Sequence, residues 1–210
     1  MTRTNKNFNN KKNQLLEKLW NIFITNGYES TTLSFIIKTL NTSKGSFYHY
    51  FSSKEECADA AIEMHTNLWL NEIKEKLPER LKAKDKLKQL ILIGIETSSS
   101  NDEQYKKINS PSNTIFHEKL MVSITKKFAP LYAEIIIQGI NEGVFNVKYP
   151  LETAEMILTL SNFYLDKDLF KWDEKSSVLK VIAFENILEK ILGADKNTFN
   201  FISRIIKMED

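Results

Sequence analysis

The sequence predicts an all-α protein: an N-terminal three-helix helix-turn-helix head on a C-terminal helical body. Three observations carry that prediction. Apolar residues recur at i, i+3, i+4 and i+7, the period of a helix, and no stretch alternates as a strand would. Thr32, Ser43 and Ser53 carry hydroxyls suited to helix N-caps, while Gly27, Pro78, Gly143 and Gly193 mark stops. Between Thr32 and Ser53, two short amphipathic segments flank a turn of three or four residues, the pattern of a helix-turn-helix.

Taken in order, residues 1–9 are polar and basic without periodicity and predict a flexible arm. A first helix from about Asn10 to Asn26 would bury Leu15, Leu16, Leu19, Trp20, Phe23 and Ile24 before Gly27 stops it. Thr32 caps a second, striped by Leu33, Ile36, Ile37 and Leu40, and Asn41 can take the left-handed conformation its end requires. Ser43 caps a third. There Phe47 and Phe51 lie on one face, Gly45 and His49 on the opposite one, with Ser46 and Tyr48 flanking. That outward face has donors, a phenol and a glycine but no aliphatic residue, and so suits a polar partner at close range. Ser53-Lys54-Glu55-Glu56 reads as a capping box opening a long helix to Leu77. The head is therefore placed at 1–54 and the body at 55–210.

The body reads as helices from Lys84 to about Ser98, Ile115 to Lys127, Pro130 to Asn141, Pro150 to Leu165 and Glu174 to Leu192. Pro130 is expected at a first turn or a kink. Residues 98–114 form a polar connector with one short helical turn, and Phe199, Phe201 and Ile202 pack a terminal turn.

Charge is uneven. Residues 1–54 carry eight Lys/Arg against Glu17 and Glu29, net +6, while the remainder is net −4. A basic head on a mildly acidic body is the footprint of a part that meets phosphate. A single cysteine, Cys57, excludes an intramolecular disulfide and fits a reducing cytoplasm; it reads as a small apolar filler. No run approaches the roughly 20 apolar residues of a membrane span. His49, His65 and His117 lack metal-ligand spacing, and no nucleophile elbow, P-loop or dinucleotide turn is present. The expectation is no catalytic residue, no metal and no cofactor.

One resemblance is specific. Gly27-Tyr28, Thr31-Thr32, Ile36, Ser43-Lys44-Gly45, Tyr48-His49-Tyr50-Phe51 and Lys54-Glu55-Glu56 recur at offsets that resemble the N-terminal domain of TetR (tetracycline repressor) family regulators, over roughly residues 10–57. The sequence departs from that pattern at Ile37 and Leu40, where the family has small residues, at Asn41 for glycine and at Thr42 for valine. The resemblance implies DNA contacts from Thr32, Thr42, Ser43, Lys44, Gly45, Ser46, Tyr48, His49 and Lys54. It implies a homodimer through the last two long helices. Those helices are apolar well beyond the ~100° stripe of a surface helix, with Ile157, Leu160, Tyr164, Ile182 and Leu188 as interface residues. It implies a small-molecule effector, for which Trp69, Phe116, Tyr132 and Phe163 are candidate pocket aromatics. The function so implied is a ligand-responsive repressor on a pseudo-palindromic double-stranded operator. The alternatives are a constitutive or protein-controlled DNA-binding dimer, and a helical enzyme or carrier whose head only resembles a DNA reader.

Overall fold

Capping chemistry sets the helix starts in a computed structural model that describes residues 3–97 and 103–206. The described residues form helices joined by turns, with no strand among them. The elements are α1 (Arg3–Asn26), α2 (Leu33–Thr39), α3 (Lys44–Tyr48), α4 (Lys54–Lys76), α5 (Ala83–Thr97), α6 (Glu103–Ile108), α7 (Thr114–Asn141), α8 (Pro150–Thr159), α9 (Lys167–Phe170), α10 (Glu174–Leu192) and α11 (Phe201–Ile206). A 3₁₀ turn (Pro111–Asn113) leads into α7, and a π-helical segment (Leu160–Tyr164) continues α8.

Packing divides the chain into two units, Met1–Trp69 with Ser100–Ser123, and Leu70–Ser99 with Ile124–Asp210. In the first, Leu16, Leu19, Trp20 and Phe23 of α1 are buried, as are Ile36, Phe47, Phe51, Cys57, Ala58, Ala61 and Phe116. The three-helix head expected to end at Lys54 therefore packs as part of a larger unit, because the first half of α4 and the start of α7 supply part of its core. In the second unit, α5, α7, α8 and α10 bury Leu87, Leu90, Phe128, Ile136, Ile157, Phe184, Leu188 and Leu192. Phe145 occupies the space that a side chain at Gly139 would need. Asp173 caps α10 by accepting from Ser176 N at 2.9 Å, and Gly193 ends it at φ +61°.

Four expectations need correction. The helix expected from Asn10 begins at Arg3, so the region expected to be an arm without structure is helical from its third residue. Thr4 to Asn9 contains neither Gly nor Pro, and a polar stretch can extend a helix whose apolar stripe lies further on. The two helices expected on either side of Pro130 are one. Burial of Phe128, Ala129, Leu131, Tyr132 and Ala133 around the proline outweighs the hydrogen bond it cannot donate. The capping box is offset: Glu56 N donates to Ser53 Oγ at 3.0 Å, but the Glu56 carboxylate accepts from Ser52 Oγ and N at 2.6 and 2.7 Å. Finally, α9 has no counterpart among the expected helices; it is one turn, started by Asp166 accepting from Leu169 N at 2.9 Å.

Candidate nucleic-acid interface

The turn before α3 fixes what that helix presents. Asn41 sits at φ 50°, the left-handed conformation its amide side chain tolerates, and turns the chain out of α2. Ser43, extended at φ −75° and ψ 153°, then accepts from Ser46 N at 3.2 Å and starts α3. Phe47 and Phe51 are each 1% exposed, with ring centroids 5.7 Å apart, and pin α3 by its inner face. Its other face is left outward. Lys44, Gly45, Ser46, Tyr48 and His49 are exposed, Ser43 with them, and Thr42 is half-buried at the edge. Tyr48 is 52% exposed despite its ring. A side chain added at Gly45 would meet nothing within 4 Å, so the glycine leaves open room above the helix. Thr32, also exposed, caps α2 by accepting from Phe35 N at 3.2 Å. Thr32 and the α3 face are thus held by local caps and a buried aromatic pair, with their polar groups outward.

Lys54 has an internal task that the sequence did not reveal. Its Nζ donates to the Tyr28 carbonyl at 2.9 Å and lies 4.2 Å from the centre of the Tyr28 ring. It ties the start of α4 to the turn after α1, so removing it would loosen the unit that carries the interface.

The segment from Ser110 to Lys119 clamps the same turn. Asn113, fully buried, accepts from Tyr28 N at 2.7 Å and donates to the Lys107 carbonyl at 3.0 Å. Glu29 N donates to Ser112 O at 3.1 Å, and Ile115 N donates to Glu29 Oε1 at 2.8 Å. Lys119 reaches Glu55 and Asp59 of α4, each at 2.9 Å. Gly27, at φ +81°, lies so close to Ser112 that a Cβ would come within 2.5 Å of its Cβ.

Beneath the head, His65 stacks on Trp20 at 4.0 Å between centroids, and Trp20 also meets Trp69 at 5.6 Å and Phe116 at 5.4 Å. Burial pushes the His65 imidazole below its ordinary pKa, an effect that Glu17, 3.6 Å away, opposes. Burial likewise pushes the Cys57 thiol up to about 12, which leaves it protonated and unreactive at neutral pH. No cluster of three or more His, Cys, Asp or Glu among the described residues is placed to hold a metal ion. No described helix is long and apolar enough to cross a membrane.

The candidate pocket aromatics fall in different units. Trp69 and Phe116 belong to the first unit, where Phe116 is fully buried against Trp20, Phe23 and Tyr28. Phe116 is core, and its sequence expectation is corrected accordingly. Tyr132 is buried in the second unit, which raises its phenol pKa, and Phe163 is 53% exposed on the π-helical segment. The expected interface residues also separate. Ile157 and Leu188 are 3% and 1% exposed within the chain's own core, so neither is available to a partner. Ile182 and Tyr164 are 39% and 40% exposed, and Leu160 is half-buried. Other residues of the same helices carry the exposure instead: Met156 at 56% and Leu179 at 61%.

A cleft of about 240 Å³ adjoins the interface on the α1 side, bounded by Lys11, Gln14 and Lys18 of α1, the Leu40–Thr42 turn, and Ser46 and Tyr50. In the sequence, Lys11 and Lys18 stand out only as part of the head's net charge, beside the apolar stripe of α1. The available signal was the spacing of Lys11, Gln14 and Lys18, which share one helical face.

Two family profiles match this chain. Residues 15–61 match the family described as bacterial regulatory proteins, tetR family, and residues 96–187 match the tetracyclin repressor-like C-terminal domain. An uncharacterized HTH-type transcriptional regulator in the lacX 3' region of Lactococcus lactis is 35% identical over 63 residues, 30% of this chain and about a third (32%) of that relative's length. The uncharacterized HTH-type regulator YfiR of Bacillus subtilis is 24% identical over 87% of this chain and 92% of its own. The crystal structure of the transcriptional regulator FadR from Bacillus subtilis in complex with stearoyl-CoA aligns at TM-score 0.58 and 19% identity, covering 87% of this chain and 98% of that one. With both halves of the architecture matched and the helix-turn-helix built as described, the chain belongs to the tetR family of DNA-binding transcriptional regulators.

Proposed function

We propose that the protein is a ligand-responsive repressor that binds a pseudo-palindromic operator as a dimer and leaves it when a small, largely apolar effector enters the body. The observation that carries this reading is the outward face of α3. It is polar, aliphatic-free and fixed from behind by Phe47 and Phe51. Hydroxyls of Ser43, Ser46 and Tyr48 and the Lys44 ammonium suit phosphate oxygens and base edges. Gly45 permits the backbone to approach the groove.

Dimerisation is supported by the apolar surface left on the second unit. Met156, Leu160 and Phe163 recur at i, i+4 and i+7, and Leu179 and Ile182 stand at i and i+3 on α10. Those side chains are half-buried or exposed and need cover. Effector response is supported by family membership and by the stearoyl-CoA bound to the Bacillus FadR chain. Both α4 and α7 contribute residues to each of the two units without interruption, so a change in either helix is felt in both. An effector acts only through better affinity for one of two arrangements. Coupling of ~3 kcal/mol would lower operator affinity about 150-fold, and the operator would weaken effector binding by the same factor.

The test is operator affinity of the Tyr48→Phe and Lys44→Ala double variant, with folding followed by circular dichroism. Removing two charge-assisted or hydroxyl interactions at about 1 kcal/mol each predicts binding weakened by roughly 30-fold, with an unchanged melting curve. Unchanged affinity at moderate salt would remove α3 as the reading surface. If operator affinity is real yet no ligand alters it, the constitutive or protein-controlled reading replaces the ligand-responsive one.

A further inference from the structure

The cleft between α1 and the α2–α3 turn extends the surface that meets DNA. Lys11, Gln14 and Lys18 stand along one face of α1 and are exposed. Across the cleft lie Thr42, Ser46 and Tyr50, the first two on the turn and helix that form the reading surface. All six side chains can donate a hydrogen bond, two are cationic, and no carboxylate lines the cleft. The cleft has a volume of about 240 Å³. Asn41, at φ 50°, lines the cleft at the turn.

We propose that this cleft holds a backbone phosphate of the duplex, with Lys11 and Lys18 as positioning residues that set the register of α3 in the groove. The proposal rests on the reading of the protein as an operator-binding regulator. Contacts to phosphate carry no sequence information, so the lysines would contribute equally to every duplex and fix where Ser46 and Tyr48 fall. Each phosphate neutralised releases condensed counterions, which appears as the slope of log affinity against log salt.

The experiment is that slope, measured on the full chain with a duplex selected by the unmodified protein and with an unrelated duplex. Lys11→Ala with Lys18→Ala is expected to make the slope shallower by about 0.9 for each phosphate no longer neutralised, by the same amount on both duplexes. Lys11→Arg with Lys18→Arg should restore it. Lys74→Ala with Lys190→Ala removes the same charge from exposed positions in the second unit and should leave the slope unchanged. A slope unaltered by the α1 variant, or altered equally by the control pair, overturns the proposal. So does saturable binding of inorganic phosphate that the α1 variant abolishes while the DNA slope stays the same, because the cleft then serves a free anion. If the unmodified protein binds no duplex at all, the regulator reading itself fails, a result distinct from an unchanged slope.

Discussion

His65 lies against Trp20 in the first unit, and its protonation is opposed by burial more than it is favoured by Glu17. A histidine whose folded pKa is depressed binds fewer protons when folded than when unfolded. Its stabilising contribution is present above the ordinary value near 6.5 and is lost as pH falls through the lowered folded value. Thermal unfolding followed from pH 7.5 downward should show stability declining below pH 6.5, and His65→Phe should flatten that part of the profile. A profile identical in the two proteins would show that the imidazole does not change its protonation on folding. At the same scale, the outward residues of α3 are legible in the sequence because caps and a Phe47–Phe51 spacing are local. The tie made by Lys54 is not, because its partner Tyr28 is 26 positions away and joined only by the fold.

Among the elements, the 3₁₀ turn and the start of α7 hold the turn after α1 through a buried side chain. Replacing Asn113 with Ala would leave the Tyr28 N–H buried without its acceptor, a penalty of about 1–3 kcal/mol. The midpoint of denaturant unfolding should fall accordingly; a shift near zero would mean that water or another group takes over the bond. The helices with strong punctuation, α2, α3 and α4, start after the caps the sequence predicts, Thr32, Ser43 and Ser53, and α10 starts at Glu174 as expected. Where burial and not a local signal decides, the sequence pattern misleads. Pro130 has the look of a boundary yet sits within one 28-residue helix. Residues 110–114 read as connector and Ile115 onward as a plain helix because their partners, Tyr28, Glu29, Glu55 and Asp59, lie more than 55 positions away. The apolar girth of α8 and α10 is legible, but not which side faces the chain's own core. Hence the sequence expectation sets Ile157 and Leu188 outward where Met156 and Leu179 stand.

For the whole molecule, two units share α4 and α7, and the exposed apolar stripe on the second sets the expected assembly. Leu179→Glu with Ile182→Glu should give a folded monomer by sedimentation, since both side chains are outward; a dimer unaffected by two charges would move the interface elsewhere. The central claim, a dimer that reads duplex DNA through α3, is tested most directly by selecting bound duplexes from a random library with the full chain. Protein symmetry predicts enrichment of a pseudo-palindrome whose half-sites lie one helical turn apart, about 34–36 Å, or a multiple of it. Failure to enrich any duplex, or enrichment of a single asymmetric site, would contradict it.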